Sequence, residues 1–201
     1  TPHHMYNVGE HTLHAMQNIR SDKVLRLTML FHDMGKPALK TVDTEGVAHF
    51  KNHAFKSQEI TKTVLKRLKF DNDTLRKVSH LVYFHDYRMP AKEKNVRRAM
   101  AKIGTELFSP YLEVRQADTL AQSTYQREEK LENIQEITRL YEEITEAGQC
   151  VSLGMLAVNG SDLIAAGMKP GKEIGKKLNE FLELVLEEPE LNTKEELLGR
   201  L

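Results

Sequence analysis

The sequence is short of several things, and each shortage removes a class of protein. It has a single cysteine, Cys150. One thiol cannot build an internal disulfide framework or a cysteine-rich zinc site, and the default setting is a reducing, cytoplasmic one. No apolar run approaches the roughly 18 residues that a membrane span needs, so no membrane partner is expected. The start, Thr1-Pro2-His3-His4, is polar and has no signal-peptide pattern. It also lacks an initiator Met, which reads as a fragment or a processed chain. Internal repeats and low-complexity segments are missing too. A repeat-free chain of 201 residues is expected to be one domain, or one domain with a small appendage.

Net charge is also missing, but the zero is a balance of unlike segments. Residues 51–102 carry 14 Lys and Arg against 5 Asp and Glu, whereas residues 103–150 carry 4 against 10. A basic segment suits a phosphate-bearing ligand such as a nucleotide or RNA; a solvated helix face is the plainer reading. Histidine is the last shortage. All nine histidines fall between His3 and His85, and none follows. That clustering argues for one His-rich site.

What is present reads almost entirely as helix. Apolar spacing predicts helices over 8–20, 22–33, 52–69, 73–86, 93–103, 105–124 and 127–147, with short helices and a longer one to about Glu187 in the tail. The second is apolar nearly all round and stops at Gly35, with Pro37 beyond. Two short β-prone runs flank Thr44-Glu45-Gly46 and predict a hairpin flap. Asp71-Asn72-Asp73 resembles a metal-binding carboxylate pair, but its place between two helices makes it a cap. The expected fold is all-α: a helical bundle with a small β-hairpin flap and a C-terminal helical extension. The expected division is 1–147 for the bundle and 148–201 for the tail.

Several polar residues sit where apolar ones belong. His32-Asp33 ends the buried second helix, where a carboxylate is costly unless compensated. Either a metal ion or ordinary helix-end hydrogen bonds satisfy it. Asp118 shares a helical face with Tyr111, Val114 and Ala121, so it calls for a cation or a salt bridge. His11 and His14 are three apart on the first helix, and the spacing does not choose between them. His85 continues the stripe of Val78, Leu81 and Val82 and faces inward. His53 lies on the side of Ile60 and Val64, the expected stripe with Leu68, whereas His80 is expected to face solvent. Lys36 follows Gly35 and is either a phosphate partner or a surface lysine.

His11, His32-Asp33-Met34-Gly35-Lys36 and Asp118 resemble the signature of the HD superfamily of metal-dependent phosphohydrolases. The resemblance covers roughly residues 3–125. It implies metal ligands at His11, His32, Asp33 and Asp118, with His53 and His85 as second-metal ligands; His14 and Asp86 are less well placed. It implies a hydrolase in which Asp33, Lys36, His53 and His85 act on a nucleotide or RNA phosphoester, for example a 2′,3′-cyclic phosphate. Imidazoles and carboxylates suit one or two Mn, Ni, Fe, Co or Zn ions, with Mg as a further choice.

A second resemblance runs further. The flap with His53 after it, and the tail from Leu156 to Leu178 with Leu191 to Glu195, look like the HD module and tail of bacterial tRNA nucleotidyltransferase/poly(A) polymerase-type proteins. The alternative function it implies is a tRNA-binding module without its catalytic head, since no strand-borne Gly-Ser or Asp-x-Asp is present. The Pro170-Gly171 corner before Lys172 is then either a phosphate contact at a helix start or a tight helix–helix turn.

Overall fold

The structure is a computed structural model that describes residues 7–201; His3 and His4 lie outside the described residues. The fold is all-α with one two-stranded antiparallel hairpin. The helices are α1 (Val8–Gln17), α2 (Lys23–Phe31), α3 (His53–Arg67), α4 (Asn72–Phe84), α5 (Glu93–Ile103), α6 (Thr105–Ala121), α7 (Arg127–Glu146), α8 (Gly160–Ala165), α9 (Lys172–Glu187) and α10 (Lys194–Leu198). Strands β1 (Thr41–Val42) and β2 (Ala48–His49) form the hairpin, with Thr41 opposite His49. No helix is long and apolar enough to cross a membrane.

Local chemistry sets the helix starts. Asn7 opens α1 through a capping box with Glu10, and Asp22 opens α2 by accepting from the Leu25 N–H at 3.0 Å. Asp71 accepts from the Thr74 N–H at 2.8 Å and from its hydroxyl at 2.7 Å, so the Asp71-Asn72-Asp73 run is a cap. In the hairpin, Asp43 accepts from the N–H groups of Glu45 and Val47, and Gly46 has the positive φ the turn needs.

The chain divides into two compact units. The first holds the described residues as far as Arg88 together with Glu106–Gln135; the second holds Met89–Thr105 together with Glu136–Leu201. In the first, α2, α3 and α4 pack on one another around Phe31, Leu65, Val78 and Val82. In the second, α9 packs against α5 and α8, around Cys150, Val158, Leu163, Phe181, Val185 and Leu197.

Two expectations about faces are corrected. The buried side of α3 is Ser57, Thr61 and Leu65, while Leu68 is 58% exposed. Small hydroxyl residues face inward because the backbone satisfies them: the Thr61 hydroxyl donates to the Ser57 carbonyl at 2.7 Å, and Ser57 Oγ accepts from the Gly35 N–H at 2.9 Å. His80 is half-buried rather than solvated, because its ring lies against Phe84 with centroids 4.8 Å apart.

Candidate metal centre

Within the first unit, polar residues from five helices meet. His11 comes from the middle of α1, His32 and Asp33 from the turn that ends α2, and His53 from the first position of α3. His85 caps the C-terminus of α4, and Asp118 lies on the inner face of α6. All are buried except His53, which is half-buried. Gly35 lets α3 come close enough. A Cβ there would stand 2.5 Å from the His53 carbonyl oxygen and 2.7 Å from the Ser57 nitrogen.

Each imidazole is aimed by a backbone carbonyl. Nδ1 of His32 lies 2.6 Å from the Met29 oxygen, His53 3.0 Å from Phe50 and His85 2.7 Å from Val82, in each case three residues back. Nδ1 of His11 lies 3.2 Å from the Ala121 oxygen. A carbonyl only accepts, so each Nδ1 carries the proton, and in the neutral ring each Nε2 presents a lone pair. Those lone pairs face one another. His11 and His32 Nε2 are 3.2 Å apart, and His53 and His85 Nε2 are 3.1 Å apart. Two acceptors at that distance repel unless a proton or a cation lies between them.

Asp33 stands between the two pairs. Its Oδ2 is 3.4 Å from His32 Nε2 and 3.7 Å from His11 Nε2. Its Oδ1 is 3.5 Å from both His53 and His85 Nε2, and is buried without a hydrogen-bond partner among the described residues. Asp118 Oδ1 joins the first pair, 2.9 Å from His11 Nε2 and 3.6 Å from His32 Nε2. His11, His32 and Asp33 thus form one potential metal-holding group and Asp33, His53 and His85 another, with the carboxylate shared. The spacing suits the chemistry. Metal–ligand bonds of about 2.1 Å put neighbouring ligand atoms roughly 3.0–3.4 Å apart in octahedral or tetrahedral geometry. The donor set, the opposed lone pairs and the orphaned Oδ1 all fit a cation.

Without a cation the charges balance otherwise. Burial pushes the Asp33 carboxyl up, but His32, His85 and Lys36 outweigh it and hold it well below the carboxylate range. Burial likewise opposes ionisation of Asp118, and hydrogen bonds from His11 and His32 overcome it. Burial also works against a charged His32, yet Asp33 and Asp118 raise it above an ordinary histidine. His53 is lowered by burial and then by His85. Lys36 completes the balance, its Nζ 2.6 Å from Asp33 Oδ2.

The centre opens into a cavity of about 310 Å³ whose lining includes Lys36, Phe50, Arg88, Gln122 and Lys130. His49 of the flap is at its edge, paired with Asp43 at 2.7 Å. Asp86 is exposed at the rim and paired with Arg88 at 2.8 Å, and His14 is not part of the cluster. Gln122, Arg88 and Lys130 were not legible as site residues, although Gln122 lies four after Asp118 and so on its face. Its side-chain amide donates to Asp118 Oδ2 at 2.9 Å and accepts from Lys130 at 3.0 Å.

The family model described as tRNA nucleotidyltransferase domain 2, putative, matches residues 41–201. The chain belongs to the tRNA nucleotidyltransferase family. Within it, this chain is 31% identical, over 96% of its length and 44% of the relative's, to the CC-adding tRNA nucleotidyltransferase of Thermus thermophilus. It is also 31% identical to the A-adding tRNA nucleotidyltransferase of Deinococcus radiodurans, over 48% of this chain and 23% of that one. The chain therefore spans less than half the length of either relative. No solved structure matches.

The family corrects one expectation. The chain was read as a metal-dependent phosphohydrolase, whereas both tRNA nucleotidyltransferase relatives are named for adding nucleotides. The physical reason for the misreading is plain. A cluster of imidazoles and carboxylates specifies a cation, but it does not specify what the cation is for.

Proposed function

We propose that this chain is the tRNA-gripping portion of a tRNA nucleotidyltransferase, with an HD-type helical domain over residues 1–147 and a tail over 148–201 that contacts the RNA. The observation that carries the reading is the family match across residues 41–201, with 31% identity to a CC-adding relative along nearly the whole chain. Nucleotide addition itself is not assigned to these residues. Among the described residues the only strands are two of two residues each, and Asp71-Asn72-Asp73 is spent on capping α4.

Surface charge supports the reading. Arg76, Lys77, Arg88, Lys94 and Arg98 are tied to carboxylates. Along α3 and just beyond it, Lys62, Lys66, Arg67 and Lys69 are exposed, and no carboxylate pairs with them among the described residues. Unpaired cations of this kind supply the sequence-independent part of RNA affinity. In this reading His11, His32, Asp33 and Asp118, with His53 and His85, hold one or two divalent ions of the Mn, Fe, Ni, Co or Zn type, with Mg as a further choice. A bound ion there would neutralise the buried carboxylates and offer a positive centre to an RNA oxyanion; Lys36, freed from Asp33, would face the same cavity.

The test is equilibrium binding of unmodified tRNA to the purified chain at increasing salt, beside metal analysis. Saturable binding that weakens steeply with salt is expected, together with one or two equivalents of a transition ion that Asp33→Ala removes. Failure to bind tRNA even at low salt would overturn the tRNA reading. A metal content unchanged in Asp33→Ala would overturn the assignment of the centre.

A further inference from the structure

A guanidinium taken out of water calls for an anion, because an uncompensated buried charge is expensive. Arg115, on the inner side of α6, is 9% exposed, and among the described residues no carboxylate pairs with it. It donates to the Tyr87 carbonyl and, at 3.4 Å, to the Tyr111 hydroxyl. That carbonyl has no need of it, since the Tyr111 hydroxyl donates to the same oxygen at 2.7 Å. A guanidinium has five N–H donors, so most of this one's capacity is unspent.

Arg115 lines a cavity of about 240 Å³ with Arg88, Lys130, Gln122, Gln126 and Asn133. Two carboxylates also border it. Asp118 is engaged with His11 at 2.9 Å and Gln122 at 2.9 Å, and Glu129 is exposed. The cations crowd one another: burial lowers the Lys130 ammonium below an ordinary lysine, and Arg88, Arg115 and Arg127 add to the effect.

We propose that this cavity is an oxyanion subsite, adjoining the His/Asp centre, that takes a phosphate group of a ribonucleotide chain. Arg115 supplies the planar fork that phosphate oxygens match in pairs, and Lys130 supplies further charge. The amides of Gln126 and Asn133 suit ribose hydroxyls or a base edge. The two cavities share Arg88, Asp118, Gln122 and Lys130, so one nucleotide chain reaches both. The choice of a ribonucleotide phosphate rests on the tRNA reading above; the oxyanion chemistry does not.

The test uses the whole chain after removal of metal by a chelator, so that no anion is held through an ion. AMP and inorganic phosphate are titrated by calorimetry. Saturable AMP binding is expected, weakened at least tenfold in Arg115→Met and about threefold in Lys130→Met. Absence of AMP binding in the metal-stripped wild type overturns the subsite, as does equal affinity in a folded Arg115→Met protein. If Arg115→Met fails to fold, Lys130→Met combined with Gln126→Ala decides by the same criterion. Equal affinity for AMP and inorganic phosphate overturns the nucleotide assignment. Binding of AMP through Arg115 by a chain that ignores tRNA would leave the subsite standing and sink the tRNA reading alone.

Discussion

Two arginines are buried among the described residues, one in each compact unit, and they are used differently. Arg97 of the second unit is 3% exposed and makes four hydrogen bonds. It donates to the carbonyls of Leu186 and Glu187 at 2.8 and 3.1 Å, to Gln149 at 3.0 Å and to the Glu93 carboxylate at 3.2 Å. Those two carbonyls end α9, where a helix has no acceptor-satisfying partners of its own and where its dipole favours a cation. Arg97 is a built-in C-cap. Arg115 of the first unit has one redundant carbonyl, one hydroxyl and a cavity. The same contrast runs through the buried charges generally. In the first unit Asp33, Arg115 and Asp118 border open cavities, whereas the second unit buries Arg97 among hydrogen-bond partners beside an apolar core. A buried charge with most of its bonds spent inside the protein holds a fold together, and one with most to spare is poised for a ligand.

Substitution can break that contrast. Arg97→Met is expected to cost about 2–4 kcal/mol of stability, because it strips partners from the buried end of α9. Arg115→Met is expected to cost less than half as much, since Tyr111 keeps the Tyr87 carbonyl satisfied. Chemical denaturation of the two variants side by side checks this. Equal losses would mean that both arginines are structural and would erase the distinction.

A smaller effect is expected at Gly35. Gly35→Ala should cost about 1–3 kcal/mol, as overpacking does. More tellingly, it should push the start of α3 away and separate His53 from Asp33 and His85. Metal analysis should then show a weakened second ion while the first, held by His11, His32, Asp33 and Asp118, is retained. Equal retention of both would place His53 outside the ligand set.

The gentlest probe is pH. The metal-free centre keeps its carboxylates ionised by raising His32, so a proton there does part of the work of a cation. An ion must displace that proton. Affinity is therefore expected to be highest above the raised His32 range and to fall as pH drops through it, by up to about tenfold per unit for each proton displaced. The mirror of this is proton release on metal binding, which calorimetry in buffers of different ionisation enthalpy measures. Affinity flat across that range would exclude His32 as a ligand.

Much of the architecture was legible beforehand because it is local. The cap at Asp71, the Asp43–Gly46 turn and the helix over 93–103 each announce themselves within a few residues. The His/Asp residues were legible for a related reason, since a buried helix that ends in His32-Asp33 already violates local expectation. The inward face of α3 was not legible, because Ser57 and Thr61 count as polar until their backbone partners are known. Neither were Arg115 and Lys130, which gain meaning only when α6 and α7 bring them to one cavity. The reaction class was read wrongly because a donor set fixes an ion's surroundings and leaves its use open.

The carbonyls behind the imidazoles carry a last consequence. His32, His53 and His85 each take their bearing from an oxygen three residues earlier, in the helix end or turn that leads into them. The rings are immobilised by folding, before any ion arrives, so their rotational entropy has already been lost when binding occurs. Such a rigid cage discriminates among ions by radius more than by affinity. It also lets the outward faces of those helices drift in sequence without disturbing what the cage selects.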